Sequence, residues 1–220
     1  MSMRGRLGRR LIQLYAGLVL YGVSSGLLVV AGLGLEPWNV LHQGLAELTG
    51  LTIGEVSIVV GAAVLLLWIP LRQRPGLGTV SNVFLIGVAM DGTLAALPAV
   101  HAPAVSVARV SLLLAGVLLN GAATGLYIAA RLGPGPRDGL MTGLHLRTGR
   151  SVRLMRTAVE AAVVVTGFAL GGTIGVGTLL YAVAIGPLAQ FFLRLFAVPA
   201  AGEGSGAVAA ASPERAILRA

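Results

Sequence analysis

Displaced against itself by 99 residues, this sequence matches without a gap, and that self-match constrains the fold more than any other feature. Gly17, Gly22, Gly26 and Leu27 fall on Gly116, Gly121, Gly125 and Leu126, and Leu33, Gly34 and Pro37 on Leu132, Gly133 and Pro136. Gly44, Leu45, Thr49 and Gly50 fall on Gly143, Leu144, Thr148 and Gly149. Gly76, Gly78, Thr79 and Gly87 fall on Gly175, Gly177, Thr178 and Gly186. Two glycine-rich segments share some glycines by chance. The non-glycine matches in register, and the common order of apolar runs, point to an internal duplication.

The duplicated unit is a membrane unit. Only 11% of the 220 residues are charged and 56% are hydrophobic, against about a quarter charged in a soluble domain. Several apolar runs approach the roughly 20 residues that span a bilayer as helix. Runs such as "VSIVVGAAVLLLWI" lack the alternation of a spanning β-barrel. Each half reads as three segments, near 10–31, 52–71 and 78–97 in repeat 1 (10–97), and near 109–130, 152–170 and 173–195 in repeat 2 (109–195). Three is odd, so the second repeat enters from the opposite face. The expected fold is an all-α polytopic membrane protein of six transmembrane helices, arranged as two inverted three-helix repeats.

Loop charges give the same topology independently. The basic segment 1–9, with Arg10 and the turn at Arg72 and Arg74, belongs in the cytoplasm by the positive-inside rule. Residues 32–51 carry Glu36 and Glu47 and no arginine, which places them outside. The matching loop of repeat 2 carries Arg131, Arg137, Arg147 and Arg150, which places it inside. Both termini are then cytoplasmic in a bacterial plasma membrane, and the small-residue tail 196–220 is expected to be a disordered cytoplasmic extension. The N-terminal arginines imitate a signal peptide, but the apolar run that follows is too long for one, and the repeat needs it as a helix. The formal charge of +8 is carried by arginines placed for topology, not by a phosphate-binding face, so nucleic acid is not an expected partner. Cysteine is absent, which excludes disulfides and thiolate metal sites.

A polar, helix-interrupting stretch occurs once per repeat: "GLGLEPWNVLHQGL" at 32–45 and "RLGPGPRDGLMTGL" at 131–144. Proline suits a first helical turn and Glu36 sits where an anion favours the helix N-terminus. The helices that follow, near 36–48 and 135–147, are about a dozen residues, too short to span. Two readings stand. The first is a pair of re-entrant helices whose N-termini offer free backbone N–H groups to a polar solute. The second is a pair of amphipathic helices lying flat at opposite interfaces, anchored by Trp38.

At these residues the chain resembles the YczE/YitT-like family of bacterial multi-pass membrane proteins. The likeness covers nearly all of 10–195, and its most specific parts are Gly34-x-x-Pro37-Trp38-Asn39, Thr52-x-Gly54, and Gly76-x-Gly78-Thr79-x-x-Asn82 followed by Asp91. Many relatives carry Asp after the Trp; Asn39 here argues against proton carriage at that position. YitT-like members often add a soluble C-terminal domain, which is not seen in this sequence, so the YczE branch is the nearer fit. Some wider relatives are viewed as small-molecule exporters, and the resemblance implies the same class.

Polar residues inside the spans are the candidate site. An acid at the centre of a spanning helix costs about 2.5–3.5 kcal/mol on insertion scales. Asp91 and Glu160 therefore read as groups facing a cavity or a partner, the bland partners being Arg109 and, at i−4, Arg156. Asn82 and Asn120 either line the same interior or bond helix to helix. With Glu36, Trp38, Asn39, Arg137 and Asp138 from the polar stretches, these make the expected substrate-binding set. The three histidines show no metal-ligand spacing, and no nucleophile elbow, P-loop or dinucleotide fingerprint occurs, so neither enzyme activity nor a cofactor is expected. The expected function is small-solute transport by rearrangement of the repeats, with proton coupling through Asp91 or Glu160. The alternative is a membrane-embedded accessory or regulatory protein that moves nothing. The bilayer, an unidentified solute and a homo-oligomer are the partners this class allows.

Overall fold

A computed structural model describes residues 3–97 and 106–197, and these form eight helices and no strand. They are α1 (Met3–Ala31), α2 (Pro37–Thr49), α3 (Ile53–Trp68), α4 (Leu77–Ala96), α5 (Val107–Ala129), α6 (Pro136–Thr148), α7 (Val152–Ala169) and α8 (Val176–Phe196). The expected tail from 198 onward, and the linker 98–105, lie outside the described residues. Among the described residues α1 is helical from Met3.

The boundaries follow local chemistry, and they repeat. Displaced by 99 residues, α2 and α6 coincide end for end. Both begin on proline, whose missing N–H costs nothing at a first helical position. Both end on a glycine, Gly50 at φ +73° and Gly149 at φ +68°, the left-handed cap that L side chains avoid. Thr52 and Glu55 then form a reciprocal capping box that starts α3, and Ser151 caps the start of α7.

The two halves interlock reciprocally. Gly78 N–H donates to Leu132 C=O at 2.8 Å, and its repeat mate Gly177 N–H donates to Leu33 C=O at 2.8 Å. Gly34 (φ +117°) and Gly133 (φ +129°) sit against these helix starts. A Cβ at Gly34 would lie 2.7 Å from Gly175 N, and one at Gly133 would lie 2.7 Å from Thr79 Oγ1. Gly22 and Gly26 of α1 meet Ile86, Met90 and Thr93 of α4 in parallel, as Gly121 and Gly125 of α5 meet Leu188 and Phe192 of α8. Between them α1 and α5 run antiparallel, Gly17 against Tyr127 and Gly116 against Leu28. Small residues at these crossings let backbones approach closely, which is how helices pack where lipid supplies no hydrophobic drive.

Four helices are long and apolar enough to cross a bilayer: Leu7–Ala31, Leu77–Ala96, Val107–Ala129 and Val176–Phe196. The pair α2–α3, bent by 111°, makes a fifth candidate as a broken span or re-entrant loop. The sixth expected segment, α7, falls short among the described residues because its first half carries Arg153, Arg156 and Glu160. Most of α2 is enclosed by protein. Glu36, Asn39, Val40 and His42 are buried, and α2 packs against α7 and α3.

One departure from symmetry shapes the interior. The helix α3 packs along α4, where Gly87 abuts the backbone of Gly54; among the described residues α7 and α8 do not pack along one another, and no other helix stands within 4 Å of a Cβ placed at Gly186, the mate of Gly87. Elsewhere the repeats exchange volume. Trp68 at the end of α3 fills the space over Gly139 of α6, while its mate Gly167 admits the backbone of α2 at Val40 and Leu41.

Candidate functional site

The N-termini of α2 and α6 meet inside the molecule. Around them lies a cavity of about 400 Å³, bordered by Arg156 and Glu160 of α7 and, across from them, by Ala182, Gly186 and Gln190 of α8. Its polar wall comes from Glu36, Trp38, Arg137 and Asp138 of the two short helices, with Tyr21, Tyr127 and Tyr181 of the long ones. No side chain caps either short helix, so the first-turn N–H groups retain their partial positive charge.

Glu36 is the most deeply placed acid, 2% exposed. It accepts from the Tyr21 hydroxyl at 3.1 Å and the Ser25 hydroxyl at 3.1 Å, and the Arg137 guanidinium stands 3.9 Å away. A buried carboxylate unpaired would cost several kcal/mol, about 3–5 on removal of its partner, so these donors are what allow the charge there. Arg137 also lies over the Trp38 ring, 5.0 Å from its centroid. Asp138 accepts from the Tyr127 hydroxyl at 3.0 Å. The Tyr181 hydroxyl donates to Asn120 Oδ1 at 2.9 Å, and Asn120 Nδ2 donates to Ser24 at 2.9 Å. On α7, Arg156 donates to Glu160 at 3.0 Å, an i,i+4 pair bordering the cavity.

Six of the nine residues expected from the sequence line this cavity: Glu36, Trp38, Asn82, Arg137, Asp138 and Glu160. Asn120 stands one hydrogen bond behind it through Tyr181. Asn39 is buried beside it and meets His42 Nδ1 at 3.0 Å. Asp91 does not line this cavity. One oxygen accepts from the Thr52 hydroxyl and the other from Gly54 N–H at 2.9 Å, so the carboxylate of α4 caps the start of α3. The Arg109 guanidinium lies against Gly32.

Sequence reasoning missed the tyrosines, although three of the chain's four line the cavity. It also missed His42, Ser57 and Gln190. A hydroxyl in the middle of a spanning segment is a readable signal, weaker than an acid but of the same kind. The cavity is also asymmetric where the frame is symmetric. Glu36, Trp38 and Asn39 correspond to Gly135, Arg137 and Asp138, and Ser57 and Gly61 to Arg156 and Glu160. Among the described residues, no group of three or more His, Asp or Glu side chains is placed to hold a metal ion.

Comparison with known proteins agrees with a membrane chain. A Bacillus subtilis protein described as "Uncharacterized membrane protein YczE" is 37% identical over 184 residues, covering 81% of this chain and 83% of its own length. A Haemophilus influenzae protein described as "Uncharacterized protein" is 42% identical over 180 residues, covering 82% and 81%. A second Bacillus subtilis protein, YyaS, is 26% identical over 180 residues. No solved structure matches. Residues 8–194 match the family described as "Family of unknown function (DUF6198)", and with YczE so similar over most of both lengths, the chain belongs to this YczE-like family of multi-pass membrane proteins.

Proposed function

We propose that the chain is a small-solute transporter in which two inverted three-span repeats rearrange around the central cavity. The observation that carries this reading is the pair of unlike gates on one reciprocal frame. At one, Gly87 packs on Gly54 and Asp91 caps α3. At the other, the mates Gly186 and Gln190 of α8 stand free of α7 and border the cavity. In a protein with inverted repeats, exchanging the two conformations between the repeats opens the cavity to the other side. The second state would close α7 onto α8 and release α3 from α4. With the arginine-rich loops inside, the open gate faces the cytoplasm.

Paired cysteines test the exchange, because the chain has none of its own. A Cβ at Gly61 lies 3.2 Å from Val83, so the double variant Gly61→Cys/Val83→Cys should form a disulfide in the state described. Its repeat mate, Glu160→Cys/Ala182→Cys, should form one only in the other state. Linking either pair should protect the opposite gate's cavity positions differently from thiol reagents. A 160/182 pair that never links, under conditions that link 61/83 fully, would leave a static protein and favour an accessory role.

A further inference from the structure

Two helix N-termini converging on one cavity suit an anion, but the chain has already supplied the negative charge there. Glu36 stands at the N-cap of α2 and Asp138 in the first turn of α6. The cavity wall holds three carboxylates, Glu36, Asp138 and Glu160, against two guanidinium groups, Arg137 and Arg156. Arg156 is committed to Glu160 at 3.0 Å, and the carboxylate nearest Arg137 is Glu36 at 3.9 Å. Among the described residues the Asp138 carboxylate takes a hydrogen bond from Tyr127 and has no ion pair of its own. The wall of this half-apolar space therefore carries one more carboxylate than guanidinium, with Arg156 the further cation within electrostatic reach of Asp138. Charges in such places are paired or neutralised.

Resting on the transport reading of this site, we infer that the cavity takes a small organic monocation, an amine or quaternary ammonium compound with an apolar body, and that Asp138 is its counter-charge. The wall is built for a delocalised cation. Trp38 already carries the Arg137 guanidinium on its face, and Tyr21, Tyr127 and Tyr181 add aromatic surface of the kind that attracts ammonium groups. Val60, Val64, Val83, Ile86, Ile185 and Leu193 provide the apolar remainder. A cavity of about 400 Å³ lies in the range of small organic ligands, roughly 300–1,000 Å³. A bare metal ion needs a tighter cluster of oxygens, and a proton would neutralise the charge but leave the space unfilled.

The test is calorimetric titration of the full-length protein in detergent with three probes: benzyltrimethylammonium, benzyl alcohol and benzoate. The cation should bind saturably and the other two should not. Asp138→Asn should weaken the cation by roughly thirtyfold, the scale of losing one charge partner in a partly desolvated site. Arg137→Gln should tighten it, because a competing cation has gone. The opposite signs separate a counter-charge from a scaffold, since general damage would weaken binding in both variants. Preference for benzoate, equal binding of benzyl alcohol, failure of the cation to bind, or weakening by Arg137→Gln would each overturn the inference. The gate cross-links use no ligand, so the two readings fail separately. Cation binding with fixed gates defeats transport alone, and moving gates without cation binding defeat this inference alone.

Discussion

Asp91 joins two helices through one carboxylate, and it shows how a half-buried acid on a spanning helix can be structural. Its oxygens satisfy the Thr52 hydroxyl and the Gly54 N–H at the start of α3, where the helix dipole favours a negative charge. Hydrogen bonds to a charged group contribute about 1.5–3 kcal/mol each. Because the Thr52 bond is exposed to solvent and contributes less than that, Asp91→Ala should lower stability in detergent by about 2–3 kcal/mol, read as a fall in melting temperature, while Asp91→Asn should cost less because the amide oxygen still accepts. The same Ala variant should raise the reactivity of Gly61→Cys, as α3 loosens from α4. Unchanged melting and unchanged reactivity would remove Asp91 from the gate. From the sequence, the cost of burying this acid was legible. Its partner was not, because a cavity and another helix's N-terminus satisfy a carboxylate equally well.

At the scale of elements, identical residues in identical register stand in different surroundings. A Cβ at Gly87 would fall 2.5 Å from Gly54 C=O, against backbone that cannot yield, whereas one at Gly186 meets no other helix within 4 Å. Gly87→Ala should destabilise by about 1–3 kcal/mol, as overpacking does. Gly186→Ala should cost clearly less, since no other helix stands against it and only the following Pro187 crowds the added methyl. Thermal melts of the two single variants decide this. Equal losses would mean that α7 rests on α8 for most of the time. The sequence made the helices themselves legible: the prolines at 37 and 136 and the glycines at 50 and 149 delimit α2 and α6 within a residue or two. It could not reveal that α3 packs along α4 while α7 stands off α8. That difference is a balance of side-chain volumes and charges summed over whole faces, with Ser57 and Gly61 on one and Arg156 and Glu160 on the other.

For the whole molecule, the reciprocal bonds of Gly78 to Leu132 and of Gly177 to Leu33 describe an operation that returns each half to the other. That twofold relates the antiparallel mates α1 and α5, Gly17 against Tyr127 and Gly116 against Leu28, so its axis is perpendicular to them and lies in the membrane plane if both cross the bilayer. An inverted pair of three-span repeats then requires that α3 and α7 cross as well. At 16 residues and about 1.5 Å per residue, α3 is roughly 24 Å long, close to a hydrocarbon core of about 30 Å. Two of the three charges on α7, Arg156 and Glu160, border the cavity rather than facing only lipid, which lowers their cost. The repeat-mated positions Thr49 and Thr148 are both exposed and end the two short helices. A single cysteine at Thr49 should react with an impermeant thiol reagent added outside intact cells, and one at Thr148 should react only after the membrane is opened. Reaction at 148 with protection at 49 would reverse the orientation while keeping the inversion. Reaction of both from outside would put the two halves the same way up, and the gates could then no longer open to opposite sides.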